Sequence, residues 1–569
     1  MELGEAVEDE IERELELGVV IAPAEGAPVG DREGHLHDVG VAGAEFAREA
    51  GGRLRLKVPG IVEESLREPE NAAAEDVQGV MRLCDGEATF AEDAEANRSG
   101  PEYATWAKRV ETEHDNFRTA LNWSFENAPD LAIRITAAVG EFWFRQGHWA
   151  ELRTACEKVA TAKWIDLLPL QARCARFAGQ CARVTGDPER AKEMFEKSLA
   201  MSEQCEASVQ LVEALNELGG IRLNNEGRNP DAQALFERAY DLSLKLNDQD
   251  RLAEALFQLG DLALAECDFD RAAEKFGEAA AICRKRDYQA GIAQCTSYLA
   301  AVAISTGEYD RASSLLQRAL EIHDKAGEKH NAAWDRFKLG QVAEGHGQYT
   351  QARIEFEESQ KAFQQMNTAV GEAWCLYELG KIALDTEEFA EASGFFEKSL
   401  LIFRTLGKAN AWVTLQLGST AICEGRFRSA KKLFQKSLDI FRQSGSKDGI
   451  ALTLCEAAHL DRLQGEYETA ETALTETMDL VSQMESKRYA IAGLQEAFQL
   501  ASARARHECA ARLLGKLETF RQEIGAPVPP RCRTEFDRAI ASCREALGED
   551  AFATLREEGR LASLDRLYS

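Results

Sequence analysis

A set of small and aromatic residues returns about every 40 positions through most of this chain. In Ala253–Ala279, AEALFQLGDLALAECDFDRAAEKFGEA, Gly260 is followed by Ala272, Phe276 and Ala279, at offsets of twelve, sixteen and nineteen. The same offsets lead from Gly340 to Ala352, Phe356 and Ser359, from Gly380 to Ala392, Phe396 and Ser399, and from Gly418 to Ala430, Phe434 and Ser437. Two antiparallel helices approach closely only where side chains are small, so the anchor and the alanine twelve later mark a crossing. The aromatic ring fills the space beside it. A single hairpin of this kind cannot bury its apolar face, so neighbours must stack.

This spacing resembles the tetratricopeptide repeat. Anchors fall at Gly140, Gly179, Gly220, Gly260, Ala300, Gly340, Gly380, Gly418, Ala458 and Phe498, at intervals of 38 to 41 residues. The alanine at twelve holds from Ala191 to Ala510, and the first unit has Leu152 there, as an end unit can. An aromatic stands nine after the anchor in six successive units, Phe269, Tyr309, Tyr349, Phe389, Phe427 and Tyr467. The unit exceeds the usual ~34 residues. The surplus, as in IHDKAGEKHNAA, is expected to lengthen the second helix and its exit loop. The predicted fold is all-α, a right-handed superhelical solenoid of about ten hairpins with capping helices at both ends. Its expected divisions are an acidic, poorly ordered 1–52, an N-terminal helical cap over 53–130, the solenoid over 131–525 and capping helices over 526–569.

Composition narrows the function. Lys and Arg number 67 against 97 Asp and Glu, a net charge of −30. Such a surface repels phosphate backbones and anionic membranes, so no direct nucleic-acid or membrane binding is expected. No run approaches the ~18 apolar residues of a membrane span. MELGEAVEDEIERELELG is too acidic to begin a secretory signal, and the chain reads as cytoplasmic. The 14 cysteines stand singly, without zinc spacing, and read as small buried hydrophobes. HLH at 35–37 lacks a third ligand.

A second resemblance begins before the repeats. EHDNFRTALNW, Glu113–Trp123, and LAIRITAAVGEFWFRQGHWAE, 131–151, resemble the entry to the repeat arm of bacterial STAND regulators. RLRLKVPGIVEESL, from Arg53, is similar to the end of their winged-helix module. GAPVPPRCR and the helices after it resemble the end of the same arms. The family implies an NTPase core ahead of this region. No GxxxxGK[ST] occurs, and Gly380-Lys381, Gly407-Lys408 and Gly515-Lys516 lack its other members. The expectation is therefore the sensor arm of such a regulator without its ATPase core.

No HExxH, GxSxG or DDxxD is present, and no enzyme, metal or cofactor is expected. The repeat family implies that the first helix of each hairpin lines a concave groove, with the residues six and three before the anchor facing it. These are Trp334 and Phe337, Trp374 and Tyr377, Trp412 and Leu415. They are the candidate partner-binding residues. Their spacing of three puts each pair on one helix face. The ladder suits an extended peptide or an apolar effector, and it suits packing between units equally; the sequence leaves both open. The predicted function is a non-catalytic scaffold for a protein or peptide, or, alternatively, a small-molecule sensor. Trp106, Trp123, Trp143, Trp149 and Trp164 are expected to cement the N-terminal cap.

Overall fold

The computed structural model describes residues 74–98, 102–161, 167–204, 208–224, 229–406 and 410–564. These belong to one compact unit, 73–569. The acidic segment 1–52, the winged-helix-like start at 53 and Trp164 lie outside the described residues.

Every regular element among the described residues is a helix. α1 (Ala74–Ala96), α2 (Tyr103–Thr112) and α3 (His114–Asn127) precede the stack. The hairpins are then α4 (Pro129–Gln146) with α5 (Trp149–Thr161), α6 (Leu168–Val184) with α7 (Pro188–Gln204), α8 (Ser208–Asn224) with α9 (Asn229–Leu246), and α10 (Gln249–Ala265) with α11 (Phe269–Lys285). There follow α12 (Gln289–Thr306) with α13 (Tyr309–Ala326), α14 (Lys329–Gly345) with α15 (Tyr349–Gln365), and α16 (Ala369–Asp385) with α17 (Phe389–Thr405). The last are α18 (Ala411–Cys423) with α19 (Phe427–Ser444), α20 (Lys447–Gln464) with α21 (Tyr467–Met484), and α22 (Lys487–Ala503) with α23 (His507–Ile524). α24 (Pro530–Leu547) and α25 (Glu549–Leu561) close the chain. The surplus over the shorter repeat lies in both helices of a hairpin, not in the second alone. α10 and α11 have 17 residues each, and only Arg286–Tyr288 separates α11 from α12.

Turn chemistry repeats as regularly as packing. Seven residues after most anchors the backbone is left-handed, at Gly147, Gly186, Cys267, Gly307, Gly347, Glu387, Gly425, Gly465 and Ala505. The next amide then bonds back across the helix end, as from Asp268 to the Ala263 carbonyl (2.9 Å) and from Gln348 to Ala343 (2.8 Å). This closes the first helix and reverses the chain in two or three residues.

The anchors work by size. A Cβ on Gly260, Gly340, Gly380 or Gly418 would lie 2.5–2.8 Å from the ring of Phe276, Phe356, Phe396 or Phe434. Where the anchor is Ala300, Ala458 or Phe498, the residue sixteen later is Leu316, Leu474 or Leu514, all of them buried in one cluster. Among these pairs large faces small in all but Phe498 with Leu514, which keeps the interior closely packed. One register differs from the expected spacing. The glycine pressed on Phe236 is Gly219, while Gly220 has open space beside its Cα. The serines at offset nineteen are buried but paired: Ser359, Ser399 and Ser437 donate to the carbonyls of Ala333, Ala373 and Ala411 at 2.7–2.9 Å.

The stack coils back on itself after about five hairpins. α4 touches α14 and α12 touches α22, each ten helices on. Arg145 meets Glu328 at 3.0 Å, and Ser486 donates to the Ser305 carbonyl at 2.6 Å. Two of the left-handed glycines become notches in this seam: Leu406 fills the Cβ position of Gly186, and Ile524 that of Gly307. At the C-terminal end, Gly515 and Gly559 lie against the backbones of α25 and α23 respectively, where any Cβ would collide.

Gly380→Ala drives a methyl into the Phe396 ring and is expected to destabilise the fold by about 1–3 kcal/mol. Gly380→Ala/Phe396→Leu, which copies the Ala300–Leu316 pairing, recovers most of that loss in urea unfolding.

Candidate functional site

Where the coil encloses a cavity, most of its lining comes from the first helices of successive hairpins, α14, α16, α20 and α22 among them. In α14, α16 and α18 the six residues expected to face a groove are built into packing between helices. Phe337 and Tyr377 are 6% exposed and Leu415 is 1% exposed. Trp334, Trp374 and Trp412 are half-buried. Trp334 packs on Phe337 and Phe363, Trp374 on Tyr377 and Phe403 (5.4 Å), and Trp412 on Phe441 (4.7 Å). Each tryptophan keeps a partly open face. Of the N-terminal group, Trp123, Trp143 and Trp149 are buried, Trp149 against His330 of α14, and Trp106 lies under the Arg109 guanidinium at 3.8 Å.

One turn deeper the wall is polar. The residue after an anchor reaches the residue two before the next anchor, as in Gln341 to Glu378 (2.7 Å) and His459 to Glu496 (3.1 Å). Gln180 pairs with Glu217 in the same way. Lys381 lies between Glu378 (2.7 Å) and Glu344 (3.0 Å). Burial works against its charge, but Glu344 and Glu378 hold its pKa above the ordinary lysine value. No expected site residue belongs to this ladder, although an acid two before several anchors is its signal in the sequence. Toward the N-terminus the wall carries arginine. Arg176 (3.1 Å) and Arg251 (2.7 Å) converge on Glu213, which is 2% exposed. Burial raises the Glu213 pKa, and the two guanidinium groups override it, bringing it down to about 2.

A cavity of about 390 Å³ opens within the second half of the coil. Gln341, Glu344 and Asp385 line one side and Cys455, His459 and Glu496 another. The third side is the connection between α23 and α24, including Pro527, Pro529 and Arg531.

Two clusters bear on chemistry. Asp335 bonds Ser297 (2.5 Å) and His323 (2.7 Å), all three buried. The order is wrong for nucleophilic catalysis, where histidine must touch the serine, and burial denies a substrate access. Near the N-terminus, His114 and His148 stack at 4.1 Å, each paired with a carboxylate, Glu151 (3.0 Å) and Glu111 (2.9 Å). Glu111, His114 and His148 could offer three ligand atoms to a metal ion within 4.8 Å of one another. No sequence motif announced them. No helix among the described residues is long and apolar enough to cross a membrane.

The family model of the tetratricopeptide repeat matches residues 210–285, 292–365 and 408–483. These stretches are tetratricopeptide repeats. Units between and beyond them, such as Gly380 with Phe396, keep the same packing. No curated protein matches the sequence. Similar solved structures include a Rap protein complexed with competence and sporulation factor, 15% identical, covering 62% of this chain and 98% of its own, with a TM-score of 0.49. The Rap conjugation gene regulator of plasmid pLS20 with the Phr* peptide is 13% identical, covering 61% and 96%, at 0.45. The Cut9-Hcn1 hetero-tetramer of the APC/C is 14% identical, covering 88% and 98%, at 0.46.

Two outcomes follow from the packing of the tryptophans. Trp374→Ala removes contacts with Tyr377 and Phe403, and is expected to lower stability by about 2 kcal/mol in urea unfolding. His330 sits between Trp149 of one turn of the coil and Trp334 of the next, and Trp334 donates to its Nε2 at 3.2 Å. Burial, then the charge of Arg183, pushes its pKa down to about 4 from the usual 6.5. A depressed histidine pKa gives stability that is complete above about pH 6.5 and lost as pH falls through 4. His330→Gln is expected to flatten that part of the stability–pH curve.

Proposed function

We propose that this chain is a non-catalytic scaffold that holds a protein or peptide partner along the inner wall of its coil. The observation that carries the reading is the wall itself. Successive first helices present a row of half-open tryptophans, Trp334, Trp374 and Trp412, beside a polar ladder through Gln341, Lys381 and His459. Phe337, Tyr377 and Leu415 back the row from beneath. Aromatic faces give contact area at small entropic loss, and fixed polar groups give register. The seam between turns of the coil holds this wall in one shape before a partner arrives, which reduces the ordering a complex requires.

The resemblance of EHDNFRTALNW to the arms of STAND regulators supports a finer version, the sensor arm of a signalling or transcription-regulatory system. A small-molecule effector is the second reading, and the cavity of about 390 Å³ favours it, since that volume is within the range of ligand pockets.

Trp374→Phe preserves packing on Tyr377 and Phe403 while removing the indole. It is expected to weaken partner capture by about ten-fold with an almost unchanged unfolding midpoint, whereas Leu401→Ser, on the exposed outer face, leaves capture intact. Equal capture by both variants rejects the tryptophan row as the contact surface.

A further inference from the structure

The connection from α23 to α24 is among the longer ones. Many second helices pass to the next first helix over two or three residues, as at Arg286–Tyr288, whereas five separate α23 from α24, as they do α17 from α18. Here Gly525 ends α23 in a left-handed conformation, and Ala526–Pro529 run without regular structure beside the cavity, half-buried except for the exposed Pro527. Pro529 has φ −57° and ψ 145°, the polyproline conformation.

Residues from three earlier hairpins receive this segment. The Pro527 ring lies 2.4 Å from where a Cβ would stand on Gly347, so only glycine leaves room for it. Arg531 is held by Asp385 of α16 at 2.8 Å and Glu456 of α20 at 3.6 Å. Arg521 donates to the carbonyl oxygens of Ala526 (3.4 Å) and Pro527 (2.6 Å). A ring in a notch, backbone carbonyls held by a side chain, and a cation between two acids are the elements by which a groove reads an extended peptide. The cavity runs beside the segment, lined further by Tyr309, Tyr349 and Arg488, so the site is longer than the stretch that fills it.

We propose that the wall around Gly347, Asp385 and Glu456 is a binding site for a proline-rich peptide that is extended through its prolines and carries an arginine in the helical turn that follows, and that residues 526–531 occupy it in cis until such a peptide displaces them. This deepens the scaffold reading and rests on it. The acids lining the wall select the cation, and the glycine notch selects the proline. Tethering gives the internal segment a high effective concentration, so a partner enters only when it binds more tightly or when the tether loosens.

The test uses the full chain and a synthetic, fluorescently labelled peptide, Gly-Ala-Pro-Val-Pro-Pro-Arg-Ser-Arg, which copies 525–533 with serine for Cys532. Arg531→Ala releases the internal segment. It is expected to bind the peptide at least about ten-fold more tightly than the unaltered chain, and adding Asp385→Ala abolishes that gain. Hydrogen exchange should rise over 526–531 alone. If Arg531→Ala also unravels α24 and α25, Pro527→Gly, which vacates the notch without leaving carboxylates unpaired, supplies the same comparison. Peptide affinity that is unchanged in a folded variant overturns the proposal, and the segment is then a structural seam. A protein partner that binds the unaltered chain and the released variants equally overturns it too, while leaving the scaffold reading intact.

Discussion

The contact between an anchor residue and the side chain sixteen positions later sets the distance between the two helices of every central hairpin. Glycine admits a phenylalanine ring, and alanine admits a leucine. The summed volume is kept while the residues exchange, so hairpins of different sequence present nearly the same outer shape to their neighbours. A stack can repeat only if its units match in this way, because each buries its apolar face on the next. Crystal-like packing density makes the match strict: a methyl group too many displaces a ring that fixes the following helix.

A regular stack of such units need only touch nearest neighbours. This one also touches itself five hairpins on, through Arg145 and Glu328, through Trp149 and His330, and through side chains seated on Gly186 and Gly307. Those contacts remove the independence of distant repeats. They also hold charge in places where water is scarce. Burying an ion pair rarely adds much net stability, yet losing one partner is costly, so Arg145 with Glu328 and Glu213 with its two arginines fix one arrangement of the coil more than they strengthen it. The cavity that results is lined by charged, polar and aromatic side chains and bordered by the chain's own proline-rich connection.

Much of the hairpin pattern was open to reading along the chain. Ala272 and its equivalents are fully buried, and the turns fall where glycine and the aromatic nine after the anchor placed them. The shift from Gly220 to Gly219 escaped notice because two adjacent glycines satisfy the same spacing, and only the position of the Phe236 ring distinguishes them. The spacing of three put each of Trp334, Trp374 and Trp412 on a helix face with its partner, Phe337, Tyr377 or Leu415. How far each ring is covered was not legible, because the covering groups, Phe363, Phe403 and Phe441, come from the far ends of the following helices. The stacked His114 and His148 were illegible for a similar reason, one coming from the start of α3 and the other from the turn between α4 and α5.

The sequence by itself determined the helices, their pairing and their stacking order, because these depend on periodic size and polarity within some 40 residues of chain. The tertiary structure decided the pitch of the coil, the closure of its interior and the inward course of Ala526–Arg531. Small rotations at each hairpin interface add up over about four units before they bring Gly347 to Pro527 or Asp385 to Arg531. No local spacing records that sum.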